Sequence, residues 1–423
     1  MMDLRVAVLA HSHPALTKGG GEVVAHRSFL HLREVCGHAS LFAAAPAAVA
    51  GASSIFARDE RIVEYDRDEF LLNAQHYDTF LGSTGDWQLL EEVAAVCEAQ
   101  KINVFHFHHF FRLGMNAAAY LQTRFPDAVF VLTLHEYLSI CYQHGQMVKR
   151  NTRLLCDRSS PIDCHLCFPE HTKEEFRLRR NFFAQAFKNF HAVTSPSRFL
   201  ADRVEAAGLA EPIQLVRNGT SGLPVPAAGQ SPPDLHLKFA FFGQNTPFKG
   251  LDVYLKAAIS VLERLGPVAT FSVFGCDALS ACQMPDCQDL APALAKWPGC
   301  IQFRGIYDPR AVVDHMRSCG WIVVPSIWWE NSPIVIQEAF LAERPVLCSG
   351  IGGMSEAVSH EGNGLHVRPN DPADLASTFE RCLADREVWS RLQSGITPPQ
   401  TIEQMNGEFM RIYQDVRRRL TVD

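Results

Sequence analysis

No apolar run in this 423-residue chain reaches the roughly 18 residues that a membrane-spanning helix needs, so no segment is expected to cross a bilayer. Basic charge is in deficit. Lys and Arg number 39 against 46 Asp and Glu, a net charge of −7, whereas a general nucleic-acid binder needs a cationic surplus. No apolar leader is expected either, since Arg5–Ala10 is too short for the core of a signal peptide and reads better as a first buried strand. Thirteen cysteines, an odd number scattered over both halves, fit reduced thiols rather than a disulfide framework. These absences point to a cytoplasmic protein. What is present is an ordinary globular composition, 47% hydrophobic and 20% charged, with length enough for two domains.

The most informative stretch is residues 324–356. It follows the apolar run Trp321–Val324, which reads as a central parallel strand. Ser332 suits an N-cap, Pro333 suits the first helical position, and the apolar pattern from Ile334 continues until Pro345. The turn Ser332-Pro333-Ile334 is therefore the expected N-terminus of a helix, where unpaired N–H groups and the macrodipole favour a phosphate. Two carboxylates flank it, Glu330 in the loop and Glu338 inside the helix, with seven residues between them. Acids do not bind phosphate; they accept hydrogen bonds from hydroxyls, and hydroxyls beside a phosphate suggest a nucleotide sugar. A second loop, Gly350-Ile351-Gly352-Gly353, lets backbone approach a ligand closely. The plainer alternative is that the glycines only turn the chain and the two acids are solvated.

Acid, seven residues, acid, then Arg344-Pro345-Val346 and Gly352-Gly353-Met354-Ser355-Glu356 resembles the retaining glycosyltransferases of family 4, a family with the α/β GT-B fold of two Rossmann-like, doubly wound domains facing across a cleft. The resemblance extends over nearly the whole chain. Gly19-Gly20-Gly21-Glu22, followed by Gly37-His38 and a strand, is similar to the family's first βαβ unit, with the glycine loop facing the cleft. The strand end His106-Phe107-His108-His109 is similar to the family's His-x-His, in which the second histidine, here His108, lies near the transferred sugar. Thr133-Leu134-His135-Glu136 resembles its Thr-x-His-Asp, with Glu136 at the acidic position. In Gly243-Gln244-Asn245-Thr246-Pro247-Phe248-Lys249-Gly250, Lys249 matches a lysine that holds the donor diphosphate, while Gln244 replaces a frequent arginine.

Other signals have two readings. His106 and His108 sharing a strand face invite a metal, or they are partly buried and hydrogen-bonded. Cys141, Cys156, Cys164 and Cys167 lie in a polar segment without clear periodicity, which either a structural zinc site holds together or whose cysteines are free thiols. The helix over residues 174–190 carries Arg177, Arg179, Arg180 and Lys188 with Phe182, Phe183 and Phe187. It reads as a solvated helix with a core stripe or as one touching anionic lipid. The glycine- and proline-rich residues 221–233 read as an interdomain linker.

The expected organisation is an acceptor-side domain over 1–220 with the cysteine insert at 141–170, a linker at 221–236, a nucleotide-sugar domain over 237–400, and a helix at 401–423 returning to the first domain. The expected activity is transfer of a sugar, with retention, from a UDP- or GDP-sugar to a hydroxyl of a glycan or lipid-linked glycan, as in surface polysaccharide or glycolipid assembly. By resemblance Glu330, His108 and Lys249 are catalytic. Gly19, Gly20, Gln244, Lys249, Ser332, Pro333, Ile334, Glu338, Gly352 and Gly353 hold the donor. No metal is expected at the reaction centre and no cofactor is needed for catalysis. Peripheral contact with the inner face of a membrane is compatible with the basic helix. A nucleotide-sugar epimerase of the same fold and a catalytically silent sugar-binding relative remain as alternatives.

Overall fold

The computed structural model describes residues 3–17, 19–45, 55–56, 60–210, 212–221 and 234–421. The chain separates into two compact units, Met1–Ser221 with Gln400–Asp423, and Gly222–Pro399. The core of the linker expected at 221–236, residues 222–233, lies outside the described residues. No helix among the described residues is long and apolar enough to cross a membrane.

The strands of the first unit are β1 (Arg5–Ala10), β2 (His38–Ala44), β3 (Ile62–Asp66), β4 (Glu69–Leu72), β5 (Tyr77–Asp78), β6 (Ser83–Thr84), β7 (Val104–Phe107), β8 (Val129–Thr133), β9 (Ala192–Ser195) and β10 (Ile213–Leu215). Eight form one sheet in the order β10-β9-β8-β7-β1-β2-β4-β3, while β5 and β6 pair separately. Every neighbouring pair in the large sheet is parallel except β3 with β4. β7 and β8 are buried at every position, as strands covered on both faces must be. Because β1 leads to β2 on one side and has β7 on the other, the loops after β1 and β7 diverge and open a crevice at their carboxyl ends.

The helix Ile402–Leu420 belongs to this unit. Thr401 and Gln404 make a reciprocal capping box at its start. Its inner face is tied down at two buried points: Ser28 Oγ donates to Asn406 Oδ1 at 2.6 Å, and the Tyr413 hydroxyl lies 2.6 Å from His106 Nδ1.

The cysteine segment differs from the sequence expectation. It contains a short helix, Pro161–Cys167, whose first turn is capped by Ser160 Oγ accepting from the Asp163 N–H at 3.0 Å. It also buries apolar anchors of its own, Ile140, Met147, Val148 and Phe168, at intervals too irregular to read as a period. The following helix, Lys173–Ala186, carries the core stripe that one of its two readings expects. Phe183 and Phe187 are core residues, and Arg179 is 4% exposed. Its guanidinium donates to the carbonyls of Phe80 at 2.6 Å, Ser139 at 3.0 Å and Leu138, so it fastens the segment after β8 to the residues after β5.

The second unit consists of β11 (Lys238–Phe242), β12 (Thr270–Phe274), β13 (Ile301–Phe303), β14 (Trp321–Val324), β15 (Val346–Ser349) and β16 (Gly364–Val367). All are parallel, in the order β13-β12-β11-β14-β15-β16, the arrangement of a doubly wound nucleotide-binding sheet. Phe239 stacks between Phe271 and Trp321, with centroids 5.3 and 6.1 Å away. The strand order reverses between β11 and β14. The loops that follow those two strands therefore line the crevice where such sheets bind ligands.

Candidate active site

Lys249 and Glu330 come from those two loops and meet although 81 residues apart. Gly250 makes the approach possible. It sits at φ +72° at the start of the helix Leu251–Leu265, and a Cβ there would lie 2.0 Å from the Pro325 carbonyl oxygen. The Ile327 N–H, donating to the Phe248 carbonyl at 2.9 Å, joins the two loops directly.

Three donors converge on one oxygen of Glu330. Lys249 Nζ, the Trp328 indole N–H and Ser326 Oγ reach Oε1 at 2.6, 2.8 and 2.9 Å. Burial alone would raise this carboxyl's pKa, but the Lys249 charge and the three hydrogen bonds hold it below the ordinary range. Lys249 also lies 5.5 Å from the Trp328 ring centroid. Oε2 carries no hydrogen bond among the described residues. The anchoring by Ser326 and Trp328 escapes a reading of acid spacing alone, although Ser-x-Trp-x-Glu, polar groups alternating just after a strand, is its trace in the sequence.

Around this pair the expected helix N-terminus is shifted. Pro333, with ψ 115°, is the cap and the helix is Ile334–Leu341, so Ser332 is not the N-cap. The proline ring fixes φ but leaves ψ free, and here ψ is extended. Ser332 Oγ instead accepts from Gln337 Nε2 at 3.4 Å. Glu338 lies half-buried within the helix and close enough to Tyr307 that its charge, after burial, helps push that phenol's pKa up to about 12. Gln244 is exposed after β11, and its carbonyl accepts from the Thr246 N–H at 2.9 Å.

Gly352 and Gly353 have a role within the protein itself. The Gly353 N–H donates to the Glu330 carbonyl at 2.7 Å, and a Cβ on Gly353 would lie 1.4 Å from the Asn331 carbonyl oxygen. Gly352 sits at φ +58°. These glycines let the start of the helix Gly352–Ala357 press against the Glu330 loop and fix its backbone.

In the first unit the carboxyl ends of β1, β7 and β8 carry a cluster of histidines. His11 Nε2 is 3.1 Å from Glu22 Oε1, and Thr17 Oγ1 donates to the same oxygen at 2.8 Å. Burial works against ionisation of Glu22, yet the His11 contacts outweigh it and hold the carboxyl at about 2. Gly19 is the cap of the helix Gly20–Val35 and leaves room for this acid: a Cβ there would lie 2.2 Å from Glu22 Oε2. The His109 ring is 4.6 Å from that of His11 and its Nε2 is 2.9 Å from Glu136 Oε1. Since His109 Nδ1 accepts from the Phe111 N–H at 2.8 Å, the neutral ring carries its proton on Nε2 and donates it to Glu136. Burial raises the Glu136 carboxyl to about 8. His108 is buried, with Nδ1 3.3 Å from His135 Nε2 and no partner for Nε2 among the described residues. Burial, then neighbouring His106 and His135, keep it neutral.

The metal readings gain no support from the geometry. Both nitrogens of His106 are engaged, by Tyr413 and by Thr133 Oγ1 at 2.7 Å, so it cannot join His108 as a ligand. Cys141, Cys156, Cys164 and Cys167 are near enough to feel one another's charge, but no three of their sulfurs lie within 4.8 Å of one another. Among the described residues, the one group whose potential ligand atoms lie within 4.8 Å of one another is His13, His26 and Glu69. Cys156 Sγ donates to the Arg158 carbonyl and Cys167 Sγ accepts from the Arg150 N–H, both at 3.1 Å, which suits ordinary thiols. The histidine group is a hydrogen-bonded strut, not a metal site. The Ala15 N–H donates to His13 Nδ1 at 3.1 Å, so the neutral ring is protonated on Nε2 and has no lone pair there for a metal. That proton goes to Glu69 Oε2 at 2.8 Å, and His26 Nε2 lies 3.1 Å from the same atom.

Comparison with known proteins agrees with this architecture. The model "Glycosyltransferase Family 4" matches residues 18–221, and "Glycosyl transferases group 1" matches residues 236–385. A D-inositol 3-phosphate glycosyltransferase of Nocardia farcinica is 31% identical over 154 residues, 36% of this chain and 34% of that protein. An uncharacterized glycosyltransferase of Methanocaldococcus jannaschii is 29% identical over 148 residues, 34% of this chain and 35% of its own. The matching stretch thus spans about a third of these relatives. Among solved structures, HepE of Anabaena in complex with UDP superposes with a TM-score of 0.68 at 17% identity, covering 97% of this chain and 100% of HepE. Sucrose-phosphate synthase of Thermosynechococcus elongatus superposes with a TM-score of 0.66 at 15% identity, covering 98% and 99%. The fold is GT-B. With one family model over each unit and the doubly wound sheets that those proteins share, the chain belongs to the family 4-like, group 1 glycosyltransferases.

Proposed function

We propose that the protein transfers a sugar, with retention of configuration, from a UDP-sugar to a hydroxyl of a glycan or lipid-linked glycan. The observation that carries this reading is the Lys249–Glu330 pair at the strand-order reversal of the second unit, within the stretch that the group 1 model matches. A departing diphosphate gains negative charge, and a lysine held in place is worth most where that charge develops. Glu330 serves as the positioning group for Lys249 through Oε1 and leaves Oε2 to accept from a sugar hydroxyl. Glu338 is suited to the ribose hydroxyls. The base is assigned as uracil because HepE, a protein of the same fold, has been solved with UDP and with UDP-glucose.

His108 is assigned to the transferred sugar. Its neutral ring and unpartnered Nε2 suit a hydrogen bond to a hydroxyl, not stabilisation of charge. The protein supplies the cation at the diphosphate, so the reaction needs no divalent metal. The setting is the cytoplasm or the inner face of a membrane, in polysaccharide or glycolipid assembly. The test is UDP release from a panel of UDP- and GDP-sugars with and without glycan acceptors. Release that depends on acceptor supports transfer. Isomerised sugar nucleotide without release identifies an epimerase, and binding without turnover a silent relative.

A further inference from the structure

A cavity of about 430 Å³ in the first unit lies between the segment after β8 and the helices Lys173–Ala186 and Arg198–Ala206. None of its lining residues belongs to the histidine–carboxylate pairs. Its walls include Ile140, Met147, Phe176, Phe199 and Leu209, and four arginines line it against two aspartates. Those arginines are not equivalent. Arg179 is engaged by three carbonyls and Arg203 Nη1 by the Asp157 carbonyl. Arg158 and Arg180 are exposed and form no ion pair among the described residues. The two aspartates do not answer them, because Asp202 is bound by Arg198 at 2.7 Å and Asp157 lies 3.9 Å from Arg203. Ser139 also lines the cavity. It is 2% exposed and its hydroxyl has no partner among the described residues, an incomplete site that a ligand oxygen would complete.

Two unanswered guanidinium groups and a buried free hydroxyl beside an apolar wall select an anion that carries hydrocarbon. The surrounding surface points the same way. Leu154, Ile162, Leu166 and Leu178 are 64%, 57%, 63% and 59% exposed, and Ile162 and Leu166 stand one turn apart on the helix Pro161–Cys167. We propose that this cavity binds the phosphate of a phosphate ester through Arg158, Arg180 and Ser139, with the exposed leucines and Ile162 meeting its hydrocarbon. It would be the anchoring subsite of a lipid-linked acceptor, an identification that rests on the glycosyltransferase reading. A soluble sugar phosphate shares the phosphate but not the chain.

Calorimetric titration of the full chain with geranyl phosphate, glucose 1-phosphate and geraniol tests this without any donor present. Saturable binding of geranyl phosphate is expected, weaker or absent for the other two. Arg158→Ala and Arg180→Ala should each lower its affinity about 10-fold, the scale of one charge-assisted hydrogen bond, and added salt should weaken it further. Both residues are exposed, so folding is preserved. Phe199→Ala should weaken geranyl phosphate and leave glucose 1-phosphate unchanged. Equal binding of both phosphates would overturn the lipid assignment. No saturable binding of either, or affinity unchanged in the double arginine variant, would overturn the site. UDP affinity, measured in parallel, separates the two readings: its absence in a chain that still binds geranyl phosphate counts against the transferase and not against the cavity.

Discussion

Lys249→Ala isolates the group on which the donor assignment depends. The variant should lower kcat/KM for sugar transfer about 10²-fold, the scale of removing one preorganised donor from a developing oxyanion. Its effect on the fold depends on pH. Glu330 would keep Ser326 and Trp328 at 2.9 and 2.8 Å but lose its cation, and burial would become the main influence on its carboxyl. In the wild type the folded pKa is depressed, so Glu330 contributes stability that is present above the unfolded carboxyl value of about 4.3 and lost as pH falls through the folded one. In the variant the folded pKa rises. The contribution is then present at low pH and lost as pH rises through the new value.

The stability difference between the two proteins should accordingly widen from about pH 4 towards neutrality and reach about 1–3 kcal/mol, the cost of a buried carboxylate without its cation after relaxation. Urea unfolding of both proteins at pH 4.5 to 7.5 measures it. Fluorescence serves as the probe because Trp328 touches the carboxylate. A difference that stayed constant with pH would mean that Lys249 does not hold Glu330 ionised. Wild-type turnover in the variant would remove the donor assignment.

Glu136, raised to about 8 by burial, binds its proton more tightly folded than unfolded, so wild-type stability falls as pH rises from about 4.3 towards 8. Glu136→Gln keeps an acceptor for His109 and should gain stability relative to wild type across that window in thermal melts. Gly353→Ala should cost about 3 kcal/mol or more and abolish transfer, because its Cβ meets the Asn331 carbonyl and not a movable side-chain end. Gly407→Ala, in the helix Ile402–Leu420 with nothing within 4 Å of the new methyl, should raise stability by about 1 kcal/mol in the same denaturation assay. Arg179→Met should leave the carbonyls of Phe80, Leu138 and Ser139 without their donor and cost about 3 kcal/mol, with faster hydrogen exchange over residues 138–170. Cys164→Ser should change neither metal content by elemental analysis nor that exchange.

The strands of the second unit are legible because a sheet covered on both faces writes each strand as an uninterrupted apolar run, as Trp321–Val324 does. β3 and β4 are not, for the opposite reason: β3 is the sheet edge, and Glu64, Tyr65 and Asp66 are exposed, so no run or clean alternation marks it. At the site, residue types are more legible than residue partners. Glu330, Lys249 and His108 announce themselves by chemistry and by resemblance, whereas the bond between Lys249 and Glu330 follows from β11 and β14 being neighbours. That adjacency is a property of strand order: of the three strands that lie between the pair in sequence, β12 and β13 are laid on the far side of β11 and only β14 returns beside it.

The same limit leaves charged side chains ambiguous in the sequence. Arg179 looks in sequence like its neighbours Arg177 and Arg180, yet its carbonyl partners Phe80, Leu138 and Ser139 are about 40 to 100 residues distant, and only the packed structure distinguishes a structural guanidinium from one open to a ligand. The glycines carry the complementary lesson. Gly250 and Gly353 look like phosphate-loop glycines, and each is required because a backbone carbonyl from the β14 loop, at Pro325 or Asn331, occupies the space where a Cβ would be. A glycine-rich loop at the end of a parallel strand can therefore serve the ligand indirectly. Here it lets one loop hold another at the distance that brings a lysine to a carboxylate.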